Sequence, residues 1–364
     1  MQTNDFSPST ADAQLNASAD RLTKLRASIA ALRVQSEAMA DGHRKNPLGR
    51  MVPVFSIPRK RRDVLVSDRD VAKRDEKIFA VLKERGEMRL LGAEASEDMA
   101  AAIGKLHVSH PNFSTAVNYI LGEEMLARQN KAALCGLRIL LHGAPGIGKT
   151  DFCLSLADLL GLPAEVISMS SSQASAQLGG SEEYWSNSQP GAVWKKIIQG
   201  THANPLFVLD EVDKAPTNWG DPLGALFQLL EQKSAAIFCD KSVPWLPVNA
   251  SLVNWIATAN DVEKLHPALR SRFIEVEVQA PSEVDLMNLM QRLYQGMLTE
   301  FSLNERFPPE LDMREKTRLL RTNVREAKQL LRRALARALR ENRNELSIHD
   351  PGNLPATPRR IGFL

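Results

Sequence analysis

The chain holds 364 residues, 43% of them apolar, which is enough to bury one large or two modest hydrophobic cores. Its 46 basic side chains against 43 acidic ones leave a net charge of +3, so bulk charge offers no argument for a nucleic-acid or membrane partner. Cys135, Cys153 and Cys239 stand too far apart for a disulfide framework or a paired-cysteine zinc site, and no stretch approaches the roughly 18 apolar residues of a membrane span, so a soluble protein of the reducing cytoplasm is expected.

After a polar start, Leu15, Leu22, Leu25, Ile29, Leu32 and Met39 occupy a and d positions of a heptad frame in which Ser18 and Ser36 fill the other two. The pattern suits a short coiled coil and suits equally a single amphipathic helix packed on its own domain; either should stop near Gly42. From Asn46 to Pro58 three prolines, followed by Arg59, Lys60, Arg61 and Arg62, read as a linker, because proline removes backbone donors and like charges repel. The basic run suits a solvated loop, or a contact with phosphates or an acidic partner. Two helices are predicted next, over Arg69 to Arg85 and Thr115 to Gln129.

Strands and helices then alternate, which predicts a parallel sheet flanked by helices. The candidate strands are Leu137 to His142, Glu165 to Met169, Leu206 to Asp210, Trp255 to Ala259 and Ile274 to Val278, each short, apolar and bounded by turn residues. Beyond Pro281 the periodicity is helical, with Leu320, Val324, Ala327, Leu331, Ala334 and Ala338 on one face of a long helix. The expected organisation is an N-terminal helix and basic linker over 1–62, a helical connecting region over 63–130, an α/β core over 131–281, a small helical lid over 282–346 and a tail over 347–364.

Gly143, Ala144, Pro145, Gly146, Ile147, Gly148, Lys149 and Thr150 fit the spacing G-x-x-x-x-G-K-[ST] between a strand and a helix running to about Leu160. Glycines there let the backbone wrap a phosphate chain, so that N–H groups and the helix N-terminus point at the anion. Lys149 is the candidate for the β and γ phosphates, and Thr150 for Mg²⁺ through its hydroxyl. Phe207-Val208-Leu209-Asp210-Glu211 supplies the acids such a loop needs: Asp210 for the Mg²⁺ shell, Glu211 to orient or deprotonate water. Asn260, at another strand end, is either a turn residue or a carboxamide that positions water. Arg270 and Arg272 lie in a loop before the last strand, where a guanidinium reaches a neighbouring subunit's phosphates or makes a solvent-facing ion pair.

With these elements in order, the sequence resembles an AAA+ ATPase, and within that superfamily the ATPase module of Lon-type proteases. The resemblance covers Ala116 to Leu339 and is carried, besides the phosphate loop, by Asn204 through Lys214, by Gly220-Asp221-Pro222 with Ala225-Leu226, and by Asn323-Val324-Arg325-Glu326. It implies ATP and Mg²⁺ as ligands, Asn260 as sensor 1, Arg272 as arginine finger with Arg270 a possible second, Arg325 as sensor 2, and a homo-oligomeric ring, usually a hexamer. It also sets Trp185 at the aromatic place of a pore loop, although Ser186 takes the neighbouring aliphatic place; a buried anchor is the other reading of Trp185. Trp219 is a weaker second pore candidate. A Ser-Lys protease domain follows the lid in Lon-type proteases, whereas this sequence ends at Leu364, so no peptidase is expected, and the tail from Asp350 reads as a docking peptide or a disordered end.

The expected function is thus an ATP-hydrolysing ring motor that remodels or unfolds a protein partner without protease activity of its own. Two other classes stay open. A nucleic-acid-associated ATPase is suggested by the eleven Lys/Arg against four Asp/Glu between Arg314 and Glu345, though stacking aromatics are missing there. A nucleotide-dependent assembly switch is the other, against which the full hydrolytic set of Glu211, Asn260 and Arg272 counts.

Overall fold

Strands covered on both faces lose the alternation of apolar and polar residues, and Leu206–Asp210 and Asn254–Ala259 have that character, with every side chain buried except Asp210. In the computed structural model, which describes residues 50–56, 69–92, 94–171, 174–183, 187–215 and 224–348, they form the middle of the main sheet. All described residues belong to one unit, Gly49–Leu364. The elements used below are β1 (Arg50–Pro53), α1 (Arg69–Arg85), β2 (Met88–Leu91), α2 (Glu97–Gly104), α3 (Ser114–Gln129), β3 (Arg138–His142), α4 (Lys149–Leu160), β4 (Ala164–Ser168), α5 (Ala192–Ile198), β5 (Leu206–Asp210), α6 (Gly224–Leu229), β6 (Phe238–Cys239), β7 (Pro247–Val248), β8 (Asn254–Ala259), β9 (Ile274–Glu277), α7 (Glu283–Glu300), α8 (Met313–Leu319) and α9 (Val324–Arg340).

The main sheet has five parallel strands in the order β4-β5-β8-β3-β9. Its register places His142 beside Ala259 and Ser168 beside Asp210, so the residues that follow β3, β5 and β8 emerge along one edge. Open α/β sheets present their ligand crevices at that carboxyl edge.

Successive side chains of a strand face opposite ways, and the sheet separates two apolar layers accordingly. Leu140, Phe207, Leu209, Trp255 and Ala257 pack on one side with Trp194 and Ile197 of α5, Phe207 stacking on Trp255 at 5.0 Å. Ile139, Leu141, Val208 and Ile256 pack on the other with Phe113, Phe152 and Leu156. A separate core of Tyr294, Leu298, Leu319, Leu331 and Leu335 holds α7, α8 and α9 together as the helical lid. The α/β core with a five-stranded parallel sheet and a following lid is therefore the fold.

Three local features depart from the sequence reading. The long helix expected through Leu320 and Val324 is two helices: Asn323 closes a capping box with Glu326, accepting from the Glu326 N–H at 2.9 Å, and starts α9 afresh after α8 ends at Leu319. Within the stretch read as linker, Arg50–Pro53 pairs antiparallel with β2, and Pro53 is tolerated at a strand end where no ladder donor is required. The third is α2, started by Ser96, which accepts from the Met99 N–H at 3.2 Å. The heptad segment, the Arg59–Arg62 run, Trp185, Trp219 and the tail from residue 349 lie outside the described residues.

At the opposite edge, buried Asn254 joins three segments: its Oδ1 accepts from the Leu137 N–H at 3.1 Å and its Nδ2 donates to the Asn204 carbonyl at 3.0 Å. Asn254→Ala leaves both backbone groups buried and unpaired, at about 1–3 kcal/mol each. The expected result is a lower urea midpoint with an unchanged m-value; an unaltered midpoint would remove this side chain from the account of the fold.

Candidate functional site

Leaving β3, the chain turns at Gly143, whose φ of 155° and whose position, where a Cβ would stand 2.3 Å from the Val278 carbonyl, admit no side chain. The loop closes at Gly148 with φ 96°, and α4 begins at Lys149. No side chain caps that helix start, which leaves its first N–H groups directed into the loop. From outside, Asn112 Nδ2 donates to the carbonyls of Ile147 and Gln279, each at 3.3 Å, tying the loop to the end of the sheet. In the first turn of α4 the Asp151 carboxyl is held below its ordinary range, first by its hydrogen bond with His110 and further by Lys328 of α9.

Lys149 is 8% exposed. Its ammonium has three donors and uses them on the carbonyls of Gly143 at 2.7 Å and Ala144 at 3.0 Å and on Asn260 Oδ1 at 3.0 Å. All three acceptors are neutral. Burial pushes this lysine below its ordinary pKa, while the nearby carboxylates of Asp213, Asp210 and Glu211 act in the opposite direction. A shielded cation with only neutral bonded partners, beside uncapped N–H groups, suits an anion.

Next to it, Asp210 at the end of β5 accepts through Oδ1 from Thr150 Oγ1 at 2.9 Å and from Thr258 Oγ1 at 2.7 Å. A hydroxyl and a carboxylate in contact are the hard oxygen donors that suit Mg²⁺. Glu211 follows in the left-handed region, φ 57° and ψ 51°, a conformation that costs a residue with a Cβ roughly 1–2 kcal/mol. Its N–H donates to Thr258 Oγ1 at 3.0 Å, and its carboxylate pairs with Lys214. Asp213 accepts from the Asp261 N–H at 3.2 Å.

The structure thus brings together Gly143 through Thr150, Asp210, Glu211 and Asn260. The two arginines before β9 are sorted differently. Arg270 is engaged by two carboxylates, bonded to Glu275 at 2.9 and 3.0 Å and to Glu263 at 3.1 Å, and these bonds raise its pKa further; the solvent-facing ion pair is the reading that fits it. Among the described residues Arg272 meets no carboxylate: it bonds the Ala268 carbonyl and lies over the Phe227 ring of α6 at 5.1 Å. Arg325 is exposed on the first turn of α9, whose cap residue Asn323 approaches the loop, its Cβ 3.8 Å from where a Cβ on Gly146 would be.

Thr258, Asp213 and Asn323 received no role of their own in the sequence reading, although Asp213 and Asn323 stand in segments that carry the resemblance. Thr258 is signalled only as a hydroxyl within the apolar central run of a strand, Asp213 as a third acid after the Asp-Glu pair, and Asn323 by the Asn-x-x-Glu spacing of a capping box.

Holding an ammonium out of water costs free energy that neutral oxygen partners offset only in part, and an apolar side chain of similar length carries no such cost. Lys149→Met should therefore leave the ligand-free chain at least as resistant to urea while abolishing nucleotide binding in equilibrium titration. Marked destabilisation without ligand, or tight binding by the variant, would contradict the anion site.

The family described as "ATPase family associated with various cellular activities (AAA)" matches residues 139–280. Similar curated proteins include a Lon protease of Mycoplasma mycoides subsp. mycoides SC, 31% identical over 185 residues, 50% of this chain and 23% of that protein. A peroxisomal Lon protease homolog 2 of Caenorhabditis briggsae is 30% identical over 178 residues, 49% of this chain and 23% of its own length. A Lon protease of Chloroflexus aurantiacus is 33% identical over 172 residues, 47% and 20% respectively. The chain thus spans about a quarter or less of the length of these relatives, in their ATPase region. Among solved structures, a closed state of Hsp104 with ATPγS and FITC casein superposes with a TM-score of 0.55 at 15% identity, covering 68% of this chain and 48% of that one, a likeness of fold. The glycine-rich loop, the acidic strand end and the following asparagine all lie inside residues 139–280, the segment that matches the AAA family and is similar to the ATPase region of Lon proteases.

Proposed function

We propose that this chain hydrolyses ATP as a subunit of a homo-oligomeric, hexameric ring and uses the energy to remodel or unfold a protein partner. The observation that carries the ATPase reading is the shielded Lys149 ammonium bonded only to neutral oxygens, set against the Thr150–Asp210 pair. Lys149 and the N–H groups of Gly143 through Thr150 bind the phosphates. Thr150 and Asp210 would hold Mg²⁺, whose positive charge would offset charge on the phosphates. Glu211 takes the proton of the attacking water, exchanging its Lys214 partner to do so, and Asn260 orients that water from the next strand. Three free cysteines fit a reducing cytoplasm.

Arg272 is assigned to the neighbouring subunit's site because its guanidinium carries no carboxylate, whereas that of Arg270 is spent on two. Arg325 is assigned to the γ phosphate of its own subunit, since the first turn of α9 stands at the loop. Trp185 keeps its assignment as the aromatic that grips polypeptide, on its sequence context and the resemblance alone. The exposed face of α9, with Arg325, Lys328, Arg332, Arg333, Arg337 and Arg340, favours a second reading in which the partner is a nucleic acid.

Glu211→Gln is expected to bind ATP with little change and to lose turnover by about 10²–10⁴-fold, checked by phosphate release. Turnover near wild type would remove Glu211 from the mechanism. Subunits carrying Arg272→Ala mixed with subunits carrying Glu211→Gln should regain part of the activity neither has alone, because some interfaces then combine an intact arginine with an intact glutamate; no recovery places Arg272 outside the shared site. The motor reading predicts turnover stimulated by an unfolded protein and unaffected by DNA, and stimulation by DNA alone would favour the second reading.

A further inference from the structure

We infer that Thr258 is a positioning residue for hydrolysis, the group that locks the two acids of the site into one arrangement; the inference rests on the ATPase reading above. Within β8 every side chain is buried, and Thr258, 1% exposed, supplies the hydroxyl in an otherwise apolar central run, with Ile256 and Ala257 before it and Ala259 after it. A threonine hydroxyl has one proton to donate and lone pairs to accept with. Here the proton goes to Asp210 Oδ1 at 2.7 Å, and a lone pair takes the N–H of Glu211 at 3.0 Å. One buried oxygen therefore holds the side chain of the first acid and the backbone of the second.

The two bonds act on different degrees of freedom. Thr150 donates to the same Asp210 oxygen from the opposite element, so the carboxylate is clamped between a helix and a strand and its rotation about the Cβ–Cγ bond is restricted. On the other side, the left-handed turn at Glu211 redirects the chain as it leaves β5, and the bond from its N–H to Thr258 retains that unfavourable conformation. Without it the residue relaxes toward an extended conformation and its carboxylate leaves the water-activating direction. β5 and β8 are neighbours in register, Leu209 beside Ala257, so the clamp spans adjacent strands and is carried by the sheet itself.

Two substitutions separate this role from simple packing. Thr258→Val keeps the shape and loses the hydroxyl; Thr258→Ser keeps the hydroxyl and loses a methyl group. Folding of both is verified by thermal melting without nucleotide, and affinity for fluorescent ADP is measured with and without Mg²⁺. The expected outcome is that Thr258→Val folds, binds ADP normally without Mg²⁺, loses the gain in affinity that Mg²⁺ brings, and turns over ATP about 10–100-fold more slowly, while Thr258→Ser recovers most of both. A folded Thr258→Val with undiminished turnover and Mg²⁺ response overturns the inference, as does a Thr258→Ser as impaired as the valine variant. A wild-type chain that binds nucleotide without turning it over would instead defeat the ATPase reading.

Discussion

Keeping the Lys149 ammonium out of water costs free energy that three neutral oxygen atoms offset only in part, and much of the site is arranged around that charge. The loop glycines bend so that backbone carbonyls reach it, Asn260 leans on it from β8, and the carboxylates of Asp213, Asp210 and Glu211 stand near without bonding it. Were one of those acids in direct contact, the lysine would be satisfied internally and poor at attracting phosphate. The parallel sheet makes this possible by delivering β3, β5 and β8 to one edge in register, so that groups more than a hundred residues apart in sequence meet within hydrogen-bond distance.

Much of this was legible in the sequence because it depends on local pattern. A glycine-rich turn between an apolar strand and a helix has few physical explanations, and five short apolar runs separated by helical ones predict the sheet. What escaped depends on contacts across the sheet. Thr258 looks like a β-branched strand residue until β5 is placed beside it, and Arg270 and Arg272, two residues apart with the same chemistry, differ only because Glu263 and Glu275 lie near one and Phe227 near the other. The break before α9 was present as Asn-x-x-Glu, but apolar periodicity running through Leu320 and Val324 concealed it. Pro53 concealed β1 in the same way, since proline argues for a linker unless the strand end beside it is known.

Asp210 and Glu211 illustrate how adjacent residues acquire unlike tasks. Asp210 ends its strand in extended conformation and is gripped by two hydroxyls; Glu211 is turned out of line by a left-handed backbone and meets an exposed ammonium. The first is therefore fixed before any ligand arrives, while the second can exchange its partner. That division suits a metal ligand and a proton acceptor respectively, and its origin is a single change of backbone conformation at the end of β5.

Asn323 has a mechanical implication beyond starting a helix. Its Cβ stands beside Gly146 at the tip of the phosphate loop, and α9 extends away from there for 17 residues. At 1.5 Å per residue the far end of that helix is roughly 25 Å from the loop, so a tilt of about 10° pivoting near Asn323 sweeps it through roughly 4 Å. A small rearrangement around a phosphate held there would in this way be geared up into a displacement of a whole surface, with α9 as the lever arm and the capping box as its fulcrum.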